Sequence, residues 1–216
     1  EMREDGGTPG FLQCIKAALA IKVKDAMGVE NIQQREAEIT HYVMDSLAKN
    51  EHVVMLEPNI RDRLAIVSFY VPGAHYNLIV RLLNDKFGVQ TRGGCSCAGT
   101  YGHILLNVDQ DTSSKITQQI DLGDYAEKPG WIRASFHPTT SDKEVAYVVD
   151  AINQVTENIA VWSKEYRFNP ATGDYEHGKL DVEFPSLSCF KALPECSPLV
   201  IDKVTEKPSI LRKIFG

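Results

Sequence analysis

The stretch TRGGCSCAGTYGH, residues 91–103, sets Cys95 and Cys97 two positions apart behind Arg92 and a pair of glycines. Thiols in such a setting could ligate a metal, close a disulfide or act as nucleophiles. A structural metal site is usually built from paired cysteines, or from cysteines completed by histidines. Here C-x-C stands alone, with His103 the nearest imidazole, so no metal is expected. A Cys95–Cys97 disulfide would close a tight, strained ring. Inert core thiols are the plain alternative, because free cysteine packs as a small hydrophobe. Gly93 and Gly94 argue against that, since a glycine pair favours irregular backbone over a packed element. Arg92 would also draw a neighbouring thiol towards thiolate. The residues themselves therefore favour a reactive thiol on a loop.

Such a loop needs a scaffold. Residues 11–27 are apolar on most sides and predict a largely buried helix, entered at Thr8-Pro9 with the hydroxyl as cap and stopped at Gly28. Ile32, Ile39, Val43 and Leu47 mark one face of a second helix. VVML (53–56) and RLAIVSFYV (63–71) are rich in β-branched and aromatic residues and predict paired strands across a turn at Pro58-Asn59. Leu78, Ile79, Leu82, Leu83 and Phe87 repeat at helical spacing up to Gly88, and VQT (89–91) predicts a short strand leading into the cysteine loop. A short helix is expected over 112–120. WIRASF (131–136) alternates as a strand, with Trp131, Arg133 and Ser135 on one face and Ile132, Ala134 and Phe136 on the other. Ser141 and Glu144 form a capping box. Val145, Val148, Ile152, Val155 and Ile159 then define a long amphipathic helix. YRFNPATGDYEHG (166–178) predicts a hairpin, followed by an extended, proline-rich tail.

The fold class expected is α+β: a small, mainly antiparallel sheet of three or four strands with helices on one face. The expected organisation is an entering loop at 1–10, an α+β domain at 11–162, and a hairpin with tail at 163–216. Charged residues make up 24% of the chain, with a net charge of −6, so no basic surface points to nucleic acid or anionic lipid. No apolar run is long enough for a bilayer span, and no signal-peptide pattern opens the chain. The five cysteines, an odd number without a scaffold-like spacing, suggest a reducing cytoplasm. The opening EMREDGGTPG reads as the interior of a longer protein.

RGGCSC resembles the loop of cysteine desulfurases and selenocysteine lyases, in which an arginine and then glycine lead to the nucleophilic cysteine five positions on; Arg92 and Cys97 have that spacing. GGTP (6–9), HYNLIVRLLNDKFGVQTRGG (75–94) and WIRAS (131–135) follow the order of the class V aminotransferase-like enzymes, which use pyridoxal 5′-phosphate (PLP). The resemblance implies the small C-terminal domain of such an enzyme, with the large PLP-lysine domain lying upstream. The 97-to-133 stretch is longer than in the common desulfurases.

The resemblance further implies Cys97 as the nucleophile that takes sulfur from a PLP-bound amino acid. It makes Arg133 the clamp on the substrate carboxylate and Arg92 its assistant or the group biasing Cys97 to thiolate. Thr8 would reach the PLP phosphate across a dimer interface. Cys95 is open between sulfur relay and bystander. His75, His103, Tyr147 and Trp162 are read as packing residues. Implied partners are a small amino-acid substrate, a second copy of the chain and a sulfur-acceptor protein. An aminotransferase, a molybdenum-cofactor-sulfurase-like relative and a non-catalytic dimerisation module remain alternatives.

Overall fold

The computed structural model describes residues 6–7, 9–95 and 99–178. The chain divides into two compact units, Gln34–Asp181 and a second comprising Glu1–Gln33 with Val182–Gly216.

In the second unit, helix α1 (Phe11–Met27) begins after Gly10 with no side-chain cap, two residues beyond the Thr8 entry expected from sequence. Gly28, at φ 80°, ends it, its N–H bonding the carbonyls of Lys24 and Asp25. None of its residues is buried. Phe11, Leu12, Ile15, Leu19 and Ile21 are all largely exposed, which corrects the expectation of a buried helix. An apolar circumference records that a helix is made to be covered, but carries no information about whether the cover lies in the same chain.

The Gln34–Asp181 unit holds the core. Helix α2 (Val29–Leu47) brings Ile39, Val43, Met44 and Leu47 to it, at spacings of i, i+4, i+5 and i+8, so that they form one stripe. Strands β1 (Val54–Met55) and β2 (Ile66–Tyr70), helix α3 (Tyr76–Phe87) and strand β3 (Arg92–Gly94) follow. Helices α4 (Gly99–Leu105) and α5 (Gln110–Asp121) lead to strand β4 (Trp131–Ser135) and the long helix α6 (Asp142–Trp162). A 3-10 turn then enters a hairpin of β5 (Tyr166–Asn169) and β6 (Asp174–His177). The main sheet runs β1-β2-β4-β3 with every neighbouring pair antiparallel. The α+β architecture is the one expected.

The alternation of strand side chains decides the layering. Val67, Phe69 and Ile132 are buried and join Ile79, Leu82 and Leu83 of α3 and Val145, Val149, Ile152 and Val155 of α6 in one core, and Ala134 is buried on the same strand face. Ser68 and Arg133 project from the opposite face. Side-chain caps set helix starts, Asp109 at α5 among them. The Ser141 hydroxyl accepts from the Glu144 N–H while the Glu144 carboxylate accepts from the Ser141 N–H, the reciprocal box predicted from sequence. The Ser141 hydroxyl also donates to Glu144 Oε2 at 2.7 Å, and this bond first, with the one from the Ser141 N–H second, holds the Glu144 carboxyl below its usual range. At α3, His75 Nδ1 accepts from the Asn77 N–H.

The expected strand at 89–91 is corrected to Arg92–Gly94. Val89 is taken up by the helix stop, its N–H bonding the Leu83 carbonyl while Gly88, at φ 65°, bonds Asn84. The ladder to β4 can begin only after that closing turn. Helix α4, in a stretch whose glycines suggest irregular backbone, is a further departure from the sequence reading. No helix among the described residues is long and apolar enough to cross a membrane.

Candidate functional site

The site is built at the β3 edge of the sheet. The antiparallel register sets Arg92 directly opposite Arg133, and Arg133 directly opposite Ser68 on its other side. Directly paired residues project from the same face, so the two guanidinium groups and the Ser68 hydroxyl form a row on the side away from the core helices. Arg92 is exposed and Arg133 half-buried. The Nε of Arg133 is buried and has no hydrogen-bond partner. Like charges set directly across two strands repel, and a buried N–H without an acceptor is costly. The Arg133 N–H would be satisfied by a bound anion.

β3 carries this row straight into the cysteine loop. Cys95, half-buried, donates from Sγ to the Pro129 carbonyl at 2.9 Å. Burial pushes its thiol above the usual cysteine range, with the Lys128 ammonium opposing in part. Helix α4 returns over this region: a Cβ placed on Gly102 would lie 3.1 Å from the Trp131 ring and 3.5 Å from the Cys95 sulfur. That close cover explains why Trp131, on the same strand face as Arg133, is buried. Cys95 is therefore held as a neutral thiol within packing. Cys97 and Thr8 lie outside the described residues.

The remaining expected residues have structural surroundings. His75 stacks on Tyr76 with ring centroids 4.4 Å apart, and burial lowers its pKa. His103 Nδ1 is 2.9 Å from the Ser113 hydroxyl, joining α4 to α5. Tyr147 donates to the Phe87 carbonyl, and Trp162 lies beneath the Lys86 ammonium. No cluster of three potential metal ligands occurs among the described residues.

Sequence reasoning missed the wall behind the loop. A cavity of about 620 Å³ is lined by Tyr76, Asn77, Cys95, Tyr125, Lys128 and Thr172 among others. The β5–β6 hairpin closes one side: Asn77 Nδ2 donates to the Gly173 carbonyl at 2.6 Å, and the Tyr125 N–H to the Pro170 carbonyl at 3.0 Å. The hairpin is anchored to α3 through Lys86–Glu165 at 2.8 Å and through the Tyr166 hydroxyl, which donates to Asp85 at 3.1 Å. The Lys86 hydrogen bond holds the Glu165 carboxyl below its usual range. The proline-glycine pair before β4 was the available signal for close backbone approach here.

Comparison with known proteins adds an independent line. The family model described as Aminotransferase class-V matches residues 1–148. The chain is 29% identical over 156 residues to a cysteine desulfurase of Haloferax volcanii, covering 72% of this chain and 32% of that protein. It is 30% identical over 156 residues to a probable cysteine desulfurase of Halobacterium salinarum, with the same coverage. Its structure is similar to the apo form of a cysteine desulfurase from Thermococcus onnurineus, with a TM-score of 0.52 and 25% identity, covering 70% of this chain and 32% of that one. The chain thus spans about a third of the length of these relatives.

Proposed function

Because the chain belongs to the class V aminotransferase family, we propose that it supplies the C-terminal part of a PLP-dependent enzyme that moves sulfur from a small amino acid, as cysteine desulfurases do. The observation that carries the proposal is the buried Arg133 Nε–H without an acceptor, on the strand face it shares with Arg92 at the root of the cysteine loop. That arrangement fits a carboxylate. A planar guanidinium offers parallel charge-assisted hydrogen bonds to two oxygens, and a second one opposite it adds charge where the anion would sit.

The described residues fit the substrate end of such a site rather than the cofactor ring. Arg133 would hold the amino acid's carboxylate, with Arg92 assisting and Ser68 at the end of the row. Thr8 is the candidate for a phosphate contact. The cofactor, when bound, supplies an electron sink that weakens the substrate's C–S bond. Cys97, as thiolate, would attack the substrate sulfur; a new S–S bond forms as the C–S bond breaks, and the carbon keeps the electron pair and takes up a proton. Cys95, hydrogen-bonded and shifted towards the neutral thiol, is the poorer nucleophile of the two. A second copy of the chain, a sulfur-accepting protein and a cytoplasmic setting belong to the same proposal.

The test is Cys97→Ser in the full-length protein. Sulfide release from cysteine should vanish while the PLP absorbance band stays, because carboxylate and cofactor binding do not need the thiol. Unchanged turnover would sink the desulfurase reading and favour transamination.

A further inference from the structure

β3 is an unusual strand to carry a site. It is a sheet edge, three residues long, bonded only to β4, and two of its three residues are glycines. A strand normally holds its place by burying side chains against the layer beneath. Gly93 and Gly94 have none to bury. Something else must fix β3, and with it the direction in which the chain leaves for Cys97.

The side chain that fills this gap comes from α3. A Cβ on Gly93 would lie 2.7 Å from Tyr76 Cδ2, and one on Gly130 would lie 2.5 Å and 2.6 Å from Tyr76 Cδ1 and Cε1. The ring is therefore seated against the backbone at two places, the middle of β3 and just before β4, at distances only glycine permits. Neither Gly93 nor Gly130 has a positive φ, so space, and not backbone conformation, requires glycine at both. The ring is 8% exposed and is backed by the stacked His75 imidazole, which also caps α3. Tyr76 occupies the first position of α3, where the helix is held by that cap.

We propose that Tyr76 is the positioning residue of the site: its ring, clamped between Gly93 and Gly130, holds β3 in register so that Arg92 stands opposite Arg133 and the cysteine loop leaves in one direction. This rests on the sulfur-transfer reading above for what the position serves, but the clamp stands on the packing alone. The ring does the work and the hydroxyl does not, so Tyr76→Phe should behave as the native protein. Tyr76→Ala should release β3 while the rest of the sheet, whose core lies among β2, β4, α3 and α6, stays formed.

Amide hydrogen exchange on the intact protein, with limited iodoacetamide labelling of Cys97 referred to Cys14, tests this. In Tyr76→Ala, protection should fall roughly tenfold or more at residues 92–94 with the β2–β4 ladder retained. Cys97 labelling should drop towards that of Cys14, and Tyr76→Phe should restore both. Unchanged protection at 92–94 overturns the proposal, as does lost protection with an unaltered Cys97 rate where native Cys97 labels faster than Cys14. If Tyr76→Ala loses protection everywhere, Gly93→Ala decides, since its Cβ strikes the same ring without removing it: selective loss at β3 supports the clamp, and global loss or no change overturns it. Native Cys97 labelling no faster than Cys14 would refute the nucleophile reading, while the exchange data would still decide on Tyr76.

Discussion

Arg133 should cost the protein stability, and replacing it with methionine should recover some. The guanidinium Nε is buried without an acceptor and the residue stands directly across from Arg92. An unsatisfied buried donor costs about 1–3 kcal/mol. Methionine keeps an unbranched stem of similar reach, so most packing along the side chain survives. A net gain of about 1–2 kcal/mol is expected, or about 2–8 °C in Tm for a unit of this size. Differential scanning calorimetry of the two proteins measures it. A companion scan at matched ionic strength replaces chloride by sulfate. An anion seated between the two guanidinium groups should raise the native Tm, by an amount equivalent to about 1.4 kcal/mol at ten times its Kd, and leave Arg133→Met unmoved. A lower Tm for Arg133→Met, with equal sulfate response in both proteins, would refute the reasoning, because Arg133 would then be an ordinary packed strand residue.

Other consequences follow from the same geometry. In peptide mapping after brief alkylation near neutral pH, Cys97 should label fastest and Cys95 slowest. Cys14 lies in between, exposed on α1 whereas the Cys95 thiol is hydrogen-bonded to Pro129 and shifted upward by burial. Ser141→Ala should lower stability by about 1 kcal/mol in urea titration, the usual loss for a helix cap. It should also flatten the acid limb: the folded pKa of Glu144 is depressed, so its contribution is present above the ordinary value of 4.5 and lost as pH falls through the folded value. Phe69→Ala, at a residue with no exposure in the centre of the sheet, should cost about 3–5 kcal/mol, visible as an early, broad urea transition.

The sequence by itself determined the elements whose signals are local and repetitive. The α6 stripe, the Ser141–Glu144 box and the Gly88 stop are each written within a few residues. So is the alternation that sends Arg133 and Ile132 to opposite faces of β4. The residue types around Cys95 and Cys97 raise an expectation of chemistry, yet Cys95 itself is packed and hydrogen-bonded to Pro129. Tertiary structure decided the rest, for reasons that are not local. That Arg92 meets Arg133, and not a neighbour, depends on the register of two strands brought together across α4 and α5, and backbone hydrogen bonds make one register as good as the next until side chains choose. That α1 is uncovered could not follow from its apolar circumference, since periodicity reports the need for a partner and not its presence. Nothing in the sequence singled out Tyr76. Only the meeting of its ring with two glycines, one in the middle of β3 and one just before β4, makes that aromatic the residue on which the edge strand rests.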